Sequence, residues 1–345
     1  MDAEPVLDPI LLEPTAPVAT SEVADLARMH FGVEGEIRAL TGERDANFLL
    51  AGPDGRRYVV KFAHPREPYV ESDLQSRVLL HLESRAPDLP LPRVRRPITT
   101  DALQVRVAPS SGEPRQLRVY TYLEGVPAHT GTSCWAFPRQ LGALAGRVDR
   151  ALEDFEHEAD GRCIDWDLRR LPMMSPAGRR PPEIECAVSV YETFARDRLG
   201  DFADQVVHND LNPHNILIDS EGAHRITGIL DFGDLIRAPR AVEVATAAAY
   251  HVHDPTAPWR DALEIVRGYH GVNPLQREEL EVIPALVAMR VALSVTVNRE
   301  QARLHSDNAE YLLRNVARTQ HALALLAGLD LEDAGKDFAR EVIDG

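Results

Sequence analysis

The sequence predicts an α+β protein of two lobes, a small strand-rich one followed by a larger and mostly helical one. Three observations carry that reading. Short β-branched runs crowd the first third, three of them in succession between Glu36 and Phe62. From Phe137 onward, apolar residues recur mainly at three and four, the helical period. The 345 residues are also enough for two sizeable cores. Strands first and helices after is the layout of an α+β architecture. The expected division is an extended N-terminal arm at 1–20, a small lobe at 21–124 and a helical lobe at 125–345.

The arm carries Pro5, Pro9, Pro14 and Pro17. Their fixed φ and missing donors argue against helix and against a central strand. Thr20-Ser21-Glu22 opens a helix to His30 that Gly32 closes. A meander follows. Glu36 to Leu40 and Asn47 to Leu50 flank a loop at 41–46, and a Pro53-Asp54-Gly55 turn leads to Arg57 to Phe62. Lys61 sits in that last strand, in Tyr-Val-Val-Lys-Phe. Glu71 to Glu83 places Leu74, Val78, Leu79 and Leu82 at helical spacing. A proline-rich loop from Pro87 to Pro97 leads to strands near Gln104 to Val107 and Gln116 to Tyr122. Helices are then expected over Phe137 to His157, Pro182 to Leu199, Ala241 to Tyr250, 258–269, 275–304 and 307–327, with Asp307-Asn308 as an N-cap. Acidic residues end the chain, and no internal repeat is present.

The chemistry concentrates between Val206 and Asp234. This stretch reads Val-Val-His208-Asn-Asp210-Leu-Asn-Pro-His-Asn215-Ile-Leu-Ile, then Gly-Ile-Leu-Asp231-Phe-Gly-Asp234. Each polar cluster borders a brief apolar run that reads as a buried strand. Asp210 and Asn215 therefore fall on a loop between two strands, and Asp231 just past a third. A strand end fixes the backbone of a carboxylate while its tip stays open. Phosphoryl transfer needs little else: a carboxylate for the acceptor hydroxyl, hard oxygens for a divalent ion, and a cation on the phosphates. Asp210 suits the first task, and Asn215 with Asp231 suits the second.

His-x-Asp with Asn five residues after the Asp, followed by Asp-Phe-Gly-Asp, resembles the aminoglycoside phosphotransferase and choline kinase branch of the protein-kinase-like fold. Leu211-Asn-Pro-His-Asn-Ile-Leu217 and Leu40-Thr-Gly-Glu-Arg-Asp-Ala-Asn-Phe48 resemble the hydroxylysine kinase group within it. The resemblance implies a nucleotide-binding N-lobe in which Lys61 grips phosphates and a helix acid pairs with it. Asp73 is the expected partner, from Asp73-Leu-Gln75, with Glu71 the alternative. It implies that Gly42 lets backbone approach the phosphates, although the loop has one glycine and no Gly-x-Gly-x-x-Gly. A plain hairpin turn is the other reading of Gly42. Tyr120 and Tyr122, before Glu124-Gly125, fall where the connector holds the base edge. His208 is implied to be structural. Asp234, just after Gly233, reads as structural too, with support of the metal site as the alternative. Mg²⁺ and ATP or GTP are the implied cofactor and co-substrate.

Composition limits the partners. Thirty-eight basic against 54 acidic residues give a formal net charge of −16. A polyanion is poorly suited to a nucleic-acid backbone or an anionic membrane, and compatible with a cationic acceptor. Cys134, Cys163 and Cys186 are odd in number and form no Cys-x-x-Cys, which suits reduced cytoplasmic thiols. No signal peptide is visible at the N-terminus, and the apolar stretch Ala285 to Val297 is interrupted by Arg290 and short for a bilayer. Oligomeric state has no signature in the sequence.

Three classes fit the motifs: a kinase of a small hydroxylated amine or amino acid, a protein kinase, and a silent nucleotide-binding scaffold. Val-His-Asn-Asp lacks the Arg before Asp, and no Ala-Pro-Glu follows, which disfavours the protein kinase. The joint presence of Lys61, Asp210, Asn215 and Asp231 disfavours the scaffold. The expected enzyme transfers a γ-phosphate to an amino alcohol or hydroxy amino acid such as 5-hydroxylysine. Aminoglycosides, homoserine, choline and ethanolamine stay open as acceptors. Asp165, Asp167 and Glu243 are the carboxylates considered for a cationic amine.

Overall fold

The computed structural model describes residues 7–8, 10, 13, 17–42, 44–110, 112–130, 137–174, 177–178, 180–219, 225–304 and 316–344. Helix α1 (Thr20–Phe31) ends at Gly32, whose φ of 64° lets its N–H turn back onto the Arg28 carbonyl. Strands β1 (Glu36–Leu40), β2 (Ala46–Ala51) and β3 (Arg57–Phe62) form the expected meander. Helix α2 (Tyr69–Arg85) follows, then β4 (Val94–Arg95), β5 (Val105–Val107) and β6 (Arg115–Thr121). All pairings are antiparallel, in the order β1-β2-β3-β6-β4 with β5 also on β6. β3 and β6 are in a register that sets Lys61 directly opposite Arg118.

The second lobe begins with β7 (Val126–Pro127) and α3 (Pro138–Ala151). The expected helix to His157 stops at Ala151. Glu153, Asp154, Glu156 and Glu158 follow at once, and acids at a helix C-terminus oppose the macrodipole. Helix α4 (Pro182–Val190) continues through a π turn at Tyr191–Ala195 into Arg196–Leu199. Then come β8 (Asp204–Val207), β9 (Ile216–Ile218), β10 (Ile226–Ile229) and β11 (Ile236–Pro239). They pair as two small antiparallel sheets, β10-β9-β7 and β11-β8, that carry the motif loops at their ends. Helices α5 (Arg240–Ala249), α6 (Arg260–His270), α7 (Arg277–Leu304), α8 (Val316–Ala327) and α9 (Leu331–Ile343) complete it. The expected N-cap Asp307-Asn308 and Cys134 lie outside the described residues.

Two apolar clusters divide the interior. The smaller packs α1 under the meander through Val23, Ala27, Phe31, Phe48, Leu50, Val60 and Phe62. The larger fills the helical lobe and also takes Leu74, Val78 and Leu82 of α2. The arm is docked where it is described. Leu7 is buried in the larger cluster, Asp8 Oδ1 accepts the Ile10 N–H at 2.9 Å, and Glu13 pairs with Arg66 at 2.9 Å. The Arg277–Arg303 stretch of α7 is long and apolar enough to cross a bilayer by length and composition, and 89% of its most apolar window is buried inside the fold. The interruption at Arg290 noted in the sequence is central to the site.

Candidate active site

The loop between β8 and β9 is held by its own polar groups. His208 is fully buried. Its Nδ1 accepts the Asp210 N–H at 3.2 Å, so the tautomer assigned by this network carries the proton on Nε2, which donates to the Leu230 carbonyl at 3.0 Å. Burial lowers its pKa, which keeps the ring neutral in this role. The imidazole thus ties the Asp210 loop to the residue before Asp231. Asn209 takes a left-handed φ of 62°. Its N–H donates to Glu243 at 2.6 Å and its Nδ2 to the Trp166 carbonyl at 3.3 Å, contacts that hold the unfavourable backbone in place. Asp231, at φ 56°, is held likewise by the Gly233 N–H donating to its Oδ1 at 3.1 Å.

Asn215 reaches back to Asp210. Its Nδ2 donates to the Asp210 backbone carbonyl at 3.0 Å and to Oδ2 at 2.6 Å. Spending the amide nitrogen this way turns Oδ1 to the other side of the planar group, free to meet a cation. The Leu230 N–H donates to the Asn215 carbonyl at 2.7 Å, so Asn215 and Asp231 are adjacent across that backbone bond. Asn212 Nδ2 straddles the Asp210 carboxylate, 2.9 Å from each oxygen. Arg290 Nη2 donates to Oδ1 at 2.9 Å. Burial pushes the Asp210 carboxyl up to about 7, against the opposing pull of Arg290.

Lys61 completes the centre from the small lobe. Its Nζ lies 3.8 Å from Asp231 Oδ1 and 3.2 Å from Asp45 Oδ2. Desolvation is the largest single influence on both Lys61 and Asp231 and works against their charge, but the surrounding partners together outweigh it. These are Asp231 and Asp45 for the lysine, and Lys61, Arg44, His208 and the Gly233 N–H for the aspartate. The lysine is raised, and the aspartate, helped by Arg44, is held down at about 2. Asp231 is thus ionised across the physiological range. Asp45 Oδ2 also accepts from the buried Arg118, at 3.1 Å.

The expected helix partners of Lys61 are a correction. Asp73 faces Arg77 at 3.1 Å and His157 at 3.4 Å, and Glu71 faces Arg162 at 3.2 Å. The counter-charge comes instead from Asp45 in the β1–β2 loop, because Arg118 fills the space between sheet and α2 and donates to the Ser72 carbonyl there. Gly42 meets the hairpin requirement: a Cβ on it would lie 2.3 Å from the Asp45 carbonyl, so the loop folds on itself only with glycine. Tyr120 is buried with its hydroxyl 2.9 Å from Ser76 Oγ. The Tyr122 N–H already donates to the Arg57 carbonyl at 3.0 Å, so that amide is not open to a base edge. Asp234 is buried and pairs with Arg44, which reaches across from the β1–β2 loop. Arg162 adds a second bridge, from Glu71 on α2 to the Gly233 and Leu235 carbonyls.

The carboxylates considered for a cationic acceptor are committed elsewhere. Asp165 pairs with Arg170 at 3.1 Å, Asp167 with Arg169 at 2.8 Å, and Glu243 is fully buried against Asn209. Four contributors were given no role from the sequence: Asp45, Arg118, Asn212 and Arg290. Asp45 and Asn212 stood in the motif runs, and Arg290 stood out as a lone charge in an apolar helix; Arg118 carried no signal.

A strand-rich lobe presenting a lysine, facing a helical lobe that presents Asp210, Asn215 and Asp231 together, is the build of a kinase. The chain belongs to the phosphotransferase enzyme family, whose profile matches residues 36–282, and it is a small-molecule kinase. It is 27% identical over 326 residues to a hydroxylysine kinase of Mus musculus, covering 86% of each chain. It is 27% identical over 314 residues to a homoserine kinase of Chelativorans sp. (strain BNC1), covering 84% of this chain and 90% of that one. Among solved structures, a microcompartment-associated aminopropanol kinase shares the fold with a TM-score of 0.69 at 18% identity, covering 90% of this chain and 99% of its own. The amicoumacin kinase hAmiN, solved with AMP-PNP, Ca²⁺ and Ami, has a TM-score of 0.65 at 14% identity, covering 91% and 96%.

Proposed function

We propose that this kinase transfers the γ-phosphoryl group of ATP or GTP to the hydroxyl of a small amino alcohol or hydroxy amino acid, 5-hydroxylysine being the leading case. One observation carries the reading. Asn215 bonds Asp210 through its amide nitrogen while Asp231 meets Lys61, so base, metal oxygens and phosphate cation form one centre. The names of relatives at about a quarter identity, hydroxylysine kinase and homoserine kinase, support the acceptor class.

Lys61 steadies the α- and β-phosphates. The ionised Asp231 and the Asn215 Oδ1 fit a divalent ion of the Mg²⁺ kind, two hard oxygens with phosphates and water left to complete the shell. Among the described residues no group of three or more His, Cys, Asp and Glu could hold a metal without such help. That ion, when bound, neutralises charge on the phosphates. Asp210 orients the acceptor O–H. As the acceptor oxygen bonds to Pγ and the bond from Pγ to the β–γ bridging oxygen breaks, the hydroxyl proton passes to the carboxylate. Residues 21–124 serve the nucleotide and 125–345 the acceptor, and Leu7 of the arm packs into the larger cluster.

The test is a panel of amino alcohols, amino acids and aminoglycosides, assayed for nucleoside diphosphate release with ATP and with GTP. Hydroxylysine or a similar hydroxylated amine should give acceptor-dependent release. Release with an aminoglycoside and none with hydroxylated amino acids or amino alcohols would overturn the acceptor class.

A further inference from the structure

Arg290 is the only charged residue from Val282 to Val297, on the longest helix of the protein, and its side chain is 1% exposed. A buried guanidinium in an apolar helix is costly unless its donors are used. Its uses here converge on the catalytic loop. Nη1 donates to the Trp166 carbonyl at 2.8 Å. Nη2 donates to Asp210 Oδ1 at 2.9 Å and meets the Tyr250 hydroxyl at 3.3 Å. The guanidinium carbon stands 5.2 Å from the centre of the Trp166 ring, within cation–π reach. Among the described residues Nε makes no hydrogen bond, so the polar hold on the group is through Nη1 and Nη2.

The other donors to the Asp210 carboxylate, Asn212 and Asn215, lie on the same loop as Asp210 itself. They would move with the loop and cannot fix it against the rest of the lobe. Arg290 comes from eighty residues away. The same guanidinium also grips the Trp166 carbonyl, which accepts from Asn209 as well. Its planar fork therefore references the carboxylate to α7 and to the 166 backbone at once.

We propose that Arg290 is the positioning residue for Asp210, setting the carboxylate plane that receives the acceptor hydroxyl. This rests on the function proposed above for Asp210. Arg290 spends its Nη groups on the Trp166 carbonyl, the Asp210 carboxylate and the Tyr250 hydroxyl, and so acts through Asp210. It holds Oδ1, so that the rotation of Asp210 is fixed and Oδ2 stays beside Asn215.

The experiment compares the full-length wild type with Arg290→Gln and Arg290→Lys, by crystal structure and by steady-state kinetics. Arg290→Gln should leave the nucleotide KM within about twofold and lower kcat by about a hundredfold, the scale of a displaced reacting group. The Asp210 carboxylate should be rotated out of contact with Asn215. Arg290→Lys keeps the charge but not the fork, so it should fold and recover only part of kcat. A carboxylate unmoved in either variant, or a kcat unchanged in Arg290→Lys, overturns the proposal. Equal losses in nucleotide affinity and kcat also overturn it, since they would mark a general structural role. If the wild type phosphorylates none of the acceptor panel, the functional reading fails, while the orientation of Asp210 in the two variants still decides the role of Arg290.

Discussion

Lys61 draws its counter-charge from the hairpin loop, and this moves control of the phosphate cation from a helix to Asp45. One Asp45 oxygen serves two cations, Lys61 and Arg118, that face each other across β3 and β6. Removing it leaves two buried like charges together. We expect Asp45→Asn to cost about 3 kcal/mol in urea unfolding and to raise the nucleotide KM, while Asp73→Asn leaves that KM unchanged. Asp210→Ala should abolish turnover and spare nucleotide binding, as read by calorimetry. Asp149 gives a prediction in pH. It is buried, accepts from the Tyr269 hydroxyl at 2.6 Å, and burial pushes it up to about 7 from an ordinary 3.8. A carboxyl raised in the folded state stays protonated while the unfolded chain releases its proton. Its contribution is therefore complete below about pH 4 and is lost as pH rises towards 7, by at most about 1.4 kcal/mol per unit. Relative to wild type, Asp149→Asn should gain stability between pH 5 and pH 7 in denaturant titrations. At this scale the sequence showed the motif residues, because their spacing is local. It did not show what Asp45, Arg118, Asn212 and Arg290 do, because their partners are set by the packing of distant elements or by loop conformation.

At the scale of elements, periodicity located the meander, α2, α5, α6 and α7 within a few residues, since each presents an apolar face long enough to count. β4 and β7 have two residues each, too few for any pattern. β11 carries Pro239 at its end and so reads as loop. Helix α9 was legible and missed. Asp330 caps it, and Leu331, Ala334, Gly335, Phe338 and Ala339 form its buried stripe behind the acidic residues that end the chain. Close helix contacts add a test. Cβ atoms on Gly142 of α3 and Gly268 of α6 would lie 1.9 Å from the Ile265 carbonyl and 2.1 Å from the Arg139 carbonyl. These obstacles are backbone and cannot swing aside. Gly142→Ala and Gly268→Ala should each cost about 1–3 kcal/mol in thermal or urea unfolding, with the acceptor profile unchanged.

Across the whole molecule, Arg44 with Asp234, Arg162 with Glu71 and Lys61 with Asp231 span the two lobes. Each pair or its bridging side chain touches the loop around Asp231, so the contacts that join the lobes and those that build the phosphate site share one loop. Arg44→Ala should raise the nucleotide KM and cost about 3 kcal/mol in urea unfolding, because it leaves the buried Asp234 carboxylate without its partner. The most direct measurement is a crystal structure with Mg²⁺ and a non-hydrolysable nucleoside triphosphate analogue. We expect Asn215 Oδ1 and an Asp231 carboxylate oxygen on the same ion at about 2.1 Å, with Lys61 Nζ on the phosphates and Asp210 facing the γ-phosphoryl group. An ion bound away from both residues, or a triphosphate outside the reach of Lys61, would contradict a shared phosphoryl-transfer centre.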